Sequence, residues 1–461
     1  MKKLSPRRRL ERNWILYDVG NSAFTLLIST IMPIYFNYLA GEGGIDATTA
    51  TAYWGYAASI VTLCVAILGP TLGTLSDFSG YKRPIFFFFA IAGVLGCAAL
   101  GIPMPWLVFL VVFILTKIFY SASLVFYDSM LVDVTTHERA DDVSSKGYAW
   151  GYIGSCIPFI ISIVIVQFTP LNIAVSMPIA LAINALWWFG FTIPLMKSYR
   201  QTHFVPRTPH AVRDNFKRLF SVFSKKSDVQ NKKGIILFLI AFFLYIDGVY
   251  TIIDMATSFG TALGFDSTNL LLALLLTQVI AFPSAIVFGK LTGKVRNDVL
   301  ILVCIVAYTG IGLFAVFMTE VWQFWTLATA VGLFQGGVQA LSRSYFAKII
   351  PADQSGCLFG ILDIFGKGAA FLGTLLVSVV TQATDSVNLG AIPIVCLFAA
   401  GIAVFVVAAR VNRPYLAKQA ADDAAAAANA PLADPAAEDG AEGEAAAAED
   451  TPAADGDSAS D

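Results

Sequence analysis

The chain has 461 residues, of which 57% are hydrophobic and only 13% charged. Soluble globular proteins are about a quarter charged, so this composition excludes a soluble fold and requires a membrane protein with many spans. The net charge of −2 conceals an asymmetry: residues 417–461 hold twelve acidic residues and one Lys, and the rest of the chain is basic.

The chain opens with "MKKLSPRRRLERN", which resembles the basic region of a signal peptide. The apolar run behind it, from Trp14 to Ala40, is too long for one, and no A-x-A pattern follows. It reads as a retained first transmembrane helix. A helix needs about 20 apolar residues to cross a bilayer. Twelve stretches qualify: 14–40, 53–75, 84–102, 106–126, 147–168, 173–196, 234–259, 268–289, 298–318, 321–342, 357–381 and 389–410. The third and fourth are joined by "PMP" at 103–105, a tight turn.

Lys and Arg should gather in alternate loops, on the cytoplasmic side. Of the 30 basic residues, 28 lie at the termini or in the loops near 81–83, 137–146, 197–233, 290–296 and 343–348. The intervening loops hold only acids: Glu42, Asp46, Asp266, Glu320 and Asp385. This predicts both termini in the cytoplasm of a multi-pass protein of the cell membrane. The two remaining lysines, Lys117 and Lys367, fall within spans.

The long basic loop follows span six and divides the chain into 1–196, a linker 197–233, 234–411 and an acidic tail 412–461. The predicted fold class is an all-α membrane protein of two six-helix bundles. Within the linker, Val212, Phe216, Leu219, Phe220 and Phe223 share a helical face opposite basic residues. That suits a helix lying on an anionic leaflet or one packed on the protein. The Ala/Asp/Glu/Pro-rich tail lacks large apolar residues and is expected to be disordered. The six cysteines lie in apolar runs without disulfide or zinc spacing and read as small buried hydrophobes. The three histidines lie in loops. No nucleotide, metal or hydrolase motif occurs, so neither an enzyme nor a cofactor is expected, nor a nucleic-acid partner.

A carboxylate at the centre of a span costs about 3 kcal/mol on insertion scales, so buried charges direct attention. Residues three, four and seven apart share a helix face. "YDVGNSAFT" (17–25) places Asp18, Asn21, Ser22 and Thr25 on one face of span one. "YIDGVYTIID" (245–254) begins a similar stripe in span seven: Asp247, Tyr250, Thr251, Asp254 and Ser258. The echo between halves suggests an aqueous cavity between them, as in transporters built from parallel six-span repeats. Lys117, Ser121 and Asp128 form a stripe in span four, and Gln335 and Gln339 share a face of span ten beside the glycine pair 336–337. Asp363 and Lys367 stand i, i+4 in the order that favours an ion pair. That pair serves either structure or a substrate or proton. Asp18 and Asp247 are expected to face one cavity. Lys117 would hold a substrate carboxylate and Asp18 an ammonium group. Asp247, the deepest, would carry a proton, because desolvation favours a neutral carboxyl group.

"GTLSDFSGYKRP" (73–84) resembles the signature loop of the major facilitator superfamily, G-x-x-x-D-x-x-G-x-[RK]-[RK]. Gly73 would allow close helix approach and Gly80 a tight turn, with Lys82 and Arg83 as the basic pair. Asp77 would act as a conformational latch on a basic partner or a helix N-terminus. The second-half loop "GKLTGKVRN" (289–297) is degraded, with Gly293 at the Asp position. "WILYDVGNSAF", "SSKGYAWGYIGS", "FLYIDGVYTI", "QGGVQALSRSYF" and "FGILDIFGKGAAFLG" resemble the branch that contains the autophagy-linked vacuolar amino-acid effluxers and bacterial "unknown major facilitators". The resemblance implies the facilitator fold, alternating access, and a cavity lined mainly by spans one, four, seven and ten; the polar stripes select the same four spans and span eleven. The function expected is a secondary active transporter, exporting an amino acid or exchanging it with protons, and acting as a monomer in the lipid bilayer. A sugar or drug transporter, or a receptor or scaffold that moves nothing, are the alternatives.

Overall fold

A computed structural model describes residues 5–206 and 230–429. The linker helix proposed for 212–226 and the tail beyond Asn429 lie outside the described residues. Twelve long helices appear among the described residues: α1 (Pro6–Glu42), α2 (Ala47–Ser76), α3 (Lys82–Ala99), α4 (Trp106–Ser129), α5 (Ala140–Phe168), α6 (Ile173–Ser198), α7 (Lys232–Ala262), α8 (Ser267–Leu291), α9 (Asn297–Val316), α10 (Val321–Ile349), α11 (Ser355–Thr384) and α12 (Ile392–Asn429). Each contains one of the twelve predicted spans or most of it. Ten are long and apolar enough to cross a membrane, and α1 qualifies if its two segments count as one span.

Helix starts follow capping chemistry. The Ser5 side chain accepts from Arg8 N, with Pro6 opening the helix. At the opposite face Asp46 caps α2, Asn172 caps α6, and Glu320 forms a capping box with Gln323 on α10. Two acids of the lysine-free loops thus begin helices. α1 bends by 43° between Pro6–Ile28 and Thr30–Glu42. Pro33 explains the position, because its ring clashes with the carbonyl four residues back, at residue 29.

Residues 1–413 make one compact unit and 414–461 another. The first unit includes both six-helix halves. The expectation that disorder begins at 412 is corrected: helix continues to Asn429, where the run "AADDAAAAAN" supplies the best intrinsic helix formers. The N-terminal half packs around aromatic side chains, with Trp14 stacked on Tyr127 at 4.4 Å and Phe24 on Trp188 at 5.4 Å. Many apolar residues point outward, as a lipid-facing surface requires: Leu63, Leu95, Leu186 and Trp322 are all more than 60% exposed. Cys396 is exposed and Cys64 half-buried, so only four of the six cysteines are buried as expected.

Candidate functional site

Between the halves lies a cavity of about 480 Å³. Its walls come from α1, α2, α4, α5, α7, α10 and α11, so the expected set of spans is widened by α2 and α5. Of the predicted site residues, Lys117, Tyr250, Asp254, Gln339, Asp363 and Lys367 line it. Asp363 and Lys367 hold each other at 2.5 Å across one helical turn. Lys117 Nζ lies over the Tyr120 ring, 5.4 Å from its centre. The ion pairs of the cavity walls are Asp363–Lys367 and those of Arg343; Lys117 and Asp254 enter none among the described residues. The cavity therefore presents one cation and one anion not neutralised by a contact partner.

Asp18 and Asp247 do not line this cavity, contrary to expectation. Asp18 is buried 3.5 Å from Arg343 Nη2, and Asn21 is buried beside it, donating to Tyr17 O at 3.0 Å. Ser22 faces α5, where a Cβ on Gly151 would stand 2.8 Å from its hydroxyl. Asp247 is fully buried against α11. Its Oδ1 accepts from Gly373 N at 2.8 Å and Thr251 Oγ1 at 3.3 Å, while Oδ2 has no hydrogen-bond partner among the described residues. A Cβ on Gly373 would sit 2.3 Å from Asp247 Oδ1, so only glycine permits this approach. Asp18 and Asp247 head similar strings but face helix neighbours, because the turns that reach the cavity lie further along, at Thr25 in the first string and at Tyr250 and Asp254 in the second. Gln335 is buried, and Gln339 Oε1 accepts from the Tyr152 hydroxyl at 2.7 Å.

Arg343 lies inside α10 rather than in a loop, which corrects its placement from charge counting. Its guanidinium donates from Nη1 to Asp128 Oδ1 at 2.9 Å, from Nε to Ser144 Oγ at 2.9 Å and from Nη2 to Ser144 O at 3.0 Å. Its central carbon is 4.2 Å from the Tyr148 ring and 4.7 Å from the Trp14 ring. A planar cation suits such a site, where rings take its faces and oxygens its edge. Gly147 leaves the room, since a Cβ there would stand 2.8 Å from Asp18 Oδ2 and 3.0 Å from Arg343. This C-terminal-half cation is thus held by three helices of the N-terminal half. The sequence signal was present: Gln335, Gln339 and Arg343 follow one another at i, i+4 spacing.

Two seams close the halves at the face that bears the basic loops. At the α2–α11 seam, Asp77 accepts from Gly356 N at 2.7 Å and Cys357 N at 3.0 Å. Of the two partners considered for Asp77, this is the helix N-terminus, where free amides and the helix dipole favour a carboxylate. A Cβ on Gly73 would meet Gly356 O at 2.2 Å. Gly80 takes φ +77° in the turn. Lys82 donates to Ser355 Oγ at 2.9 Å and lies 3.6 Å from Asp133. Arg83 stays within its own half, donating to Met196 O from Nε at 3.1 Å and Nη2 at 2.8 Å. Asp133, not anticipated from sequence, also accepts from the Tyr199 hydroxyl at 2.6 Å and from His203 N at 2.9 Å, tying the loop after α6 beneath the latch. Beside the α5–α8 seam, Asp141 of α5 accepts from Asn297, at the start of α9, at 2.6 Å and pairs with Lys348 of α10 at 2.5 Å. The remaining hydrogen bonds between the halves among the described residues reach no deeper than Tyr152–Gln339. Among those residues no His, Cys, Asp and Glu group could hold a metal ion.

A family model described as "Vacuole effluxer Atg22 like" matches residues 43–137 and 132–414. The chain belongs to this family. The Atg22-like chain is 41% identical over 402 residues to the "Uncharacterized MFS-type transporter YxiO" of Bacillus subtilis (strain 168), covering 86% of this chain and 93% of that one. It is 28% identical to "Autophagy-related protein 22-1" of Aspergillus niger, but over 52% of this chain and only 42% of the fungal one. The chain thus spans less than half the length of that relative. Among solved structures it resembles the human organic anion transporter MFSD10, with a TM-score of 0.69 at 13% identity, over 87% of this chain and 100% of the other. That likeness shows the major facilitator fold. This Atg22-like protein is accordingly a multi-pass MFS-type membrane transporter of a small molecule and not an enzyme.

Proposed function

We propose that this protein carries a small zwitterionic solute, an amino acid being the simplest case, across the cell membrane by alternating access. The observation that carries the reading is a pair of opposite charges in the walls of one cavity, Lys117 and Asp254, that enter no ion pair among the described residues. A zwitterion neutralises both on binding, with its carboxylate on Lys117 and its ammonium on Asp254. Asp254 takes the part first expected of Asp18, whose carboxylate is engaged near Arg343. The closed face bears the lysine- and arginine-rich loops, so the positive-inside tendency makes it cytoplasmic, with both termini there. The conformation is then outward-open. The whole cavity lies within one chain, which suits a working monomer.

Coupling to protons runs through Asp247. Its Oδ2 is buried without a hydrogen-bond partner among the described residues, which is where an acidic proton would reside. Its Oδ1 bond to the α11 backbone ties that proton to the α7–α11 contact, so gain or loss of the proton alters helix packing as well as charge.

Purified protein in liposomes, screened against amino acids, sugars and amphiphilic drugs by counterflow, tests the substrate class. Lys117→Ala should weaken binding of the identified amino acid by about 10- to 100-fold, the loss of one charge-assisted contact. Asp247→Asn should abolish accumulation driven by a pH gradient while leaving counterflow intact. Wild-type affinity in Lys117→Ala, or counterflow of sugars alone, would overturn the zwitterion reading. Full gradient-driven accumulation in Asp247→Asn would remove that residue from coupling.

A further inference from the structure

A second cavity, of about 430 Å³, lies outside the transport path between the starts of α1 and α5. Its floor is apolar, formed by Ile15, Leu16, Val19 and Val143, and Trp150 stands at its edge, 48% exposed. Its rim carries four cations, Arg8, Arg12, Arg139 and Lys146, against two anions, Glu11 and Asp142. The anions are already engaged. Arg139 holds buried Glu11 with two hydrogen bonds, at 2.8 Å and 2.6 Å, and Lys146 holds Asp142 at 2.7 Å. Arg8 and Arg12 are exposed and enter no ion pair among the described residues. Beyond Trp150, the α5 face continues outward through Ile157, Ile160, Ile161 and Val164, all more than 40% exposed and so facing lipid.

We propose that this groove binds one anionic phospholipid, its phosphate on Arg8 and Arg12 and its acyl chains over the apolar floor and along α5. Charge complementarity selects an anionic headgroup, because two guanidinium groups remain after every rim carboxylate is paired. The apolar floor selects a lipid over a free phosphate ester, since nothing else in that ligand would cover it. Trp150 is the kind of ring that settles at the boundary between headgroups and acyl chains. Asp18 and Val19 are neighbours on α1, with Asp18 at Arg343 and Val19 in the groove floor. An occupied groove would therefore steady the α1 segment that meets Arg343, favouring the conformation described here.

The test uses full-length protein in neutral detergent, titrated with phosphatidylglycerol, phosphatidylcholine or inorganic phosphate, with bound lipid counted by native mass spectrometry and thermal stability read in parallel. One retained phosphatidylglycerol with a raised melting temperature is expected, and neither effect with phosphatidylcholine or phosphate. Arg8→Gln/Arg12→Gln should lower the affinity for phosphatidylglycerol at least tenfold while the lipid-free melting temperature stays at the wild-type value, because both side chains are exposed. Trp150→Ala, a separate probe of the floor, should weaken phosphatidylglycerol without creating a response to phosphate. Unchanged phosphatidylglycerol affinity in the double arginine variant would overturn the proposal. So would equal stabilisation by inorganic phosphate, which would mean a bare anion site.

Discussion

The two seams that join the halves occupy equivalent places and use different chemistry. At α2–α11 a carboxylate, Asp77, meets two backbone amides that cannot rotate away, and glycines let the helices touch. At α5–α8 the loop position corresponding to Asp77 is Gly293, and side chains from the neighbouring helices hold the seam: Asn297 of α9 and Lys348 of α10 converge on Asp141. Asp141 lies in the first turn of its own helix. The acid is therefore not lost from the second seam. It has moved from the loop of one half to the helix start of the other. A degraded motif in one repeat does not imply an unlatched seam, because the requirement is for a contact between halves and either half can supply the acid.

The sharpest way to break the comparison is steric. Gly73→Val places carbon where the Gly356 carbonyl stands, and backbone cannot move aside without parting the helices. The expected cost is about 3 kcal/mol against the closed seam, a shift of roughly 100-fold in state ratio. Transport should slow accordingly, and a cysteine at Ser76 should become reactive from the face that bears the basic loops. Gly289→Ala, its counterpart, meets Ser145 Cβ at 2.7 Å, a small side chain; a markedly milder effect is expected, and equal effects would erase the distinction.

Removing charge gives the next effect. Asp77→Asn keeps the shape and one acceptor but loses the interaction with the helix dipole, about 1–2 kcal/mol. Turnover should fall roughly tenfold with substrate affinity unchanged; a loss of affinity at normal turnover would place Asp77 in the binding step instead. Smallest is Lys348→Gln. Asp141 keeps its Asn297 bond, so about 1 kcal/mol and a few-fold change in turnover are expected. Turnover in that variant should also lose most of its dependence on ionic strength, while Asp77→Asn should leave that dependence in place. The same salt response in both variants would show the two seams to be electrostatically alike.

The helices were legible because each span is an apolar run bounded by charge or turn residues. The seam glycines and Asp77 were legible through the facilitator motif. The cavity was half legible. Periodicity found the faces of α4, α7, α10 and α11 that carry Lys117, Asp254, Gln339 and Asp363, but it cannot tell which turn of a polar stripe meets water and which meets a neighbouring helix. That is why Asp18 and Asp247 were placed in the cavity. Arg343 was misplaced for another reason. Counting it among loop charges supported the topology, and its partners, Trp14, Asp18, Asp128, Ser144 and Tyr148, are separated from it by about 200 residues or more. Asp133 carried no periodic signal, because it stands in a helix of four residues.

α10 is not among the helices apolar enough to cross a membrane unaided, and it carries Arg343. This has a consequence for biogenesis. An arginine in a lone span costs about 2.5–3.5 kcal/mol to insert, and Gln335 and Gln339 add to that burden. Its counterions and aromatic cage all belong to α1, α4 and α5, which emerge from the ribosome first. The order of synthesis thus delivers a ready-made acceptor before the costly helix arrives, so α10 can partition against its finished sister half rather than into lipid. The reverse gene order, with the second half translated ahead of the first, would present the same helix to the translocon with no shelter for its charge.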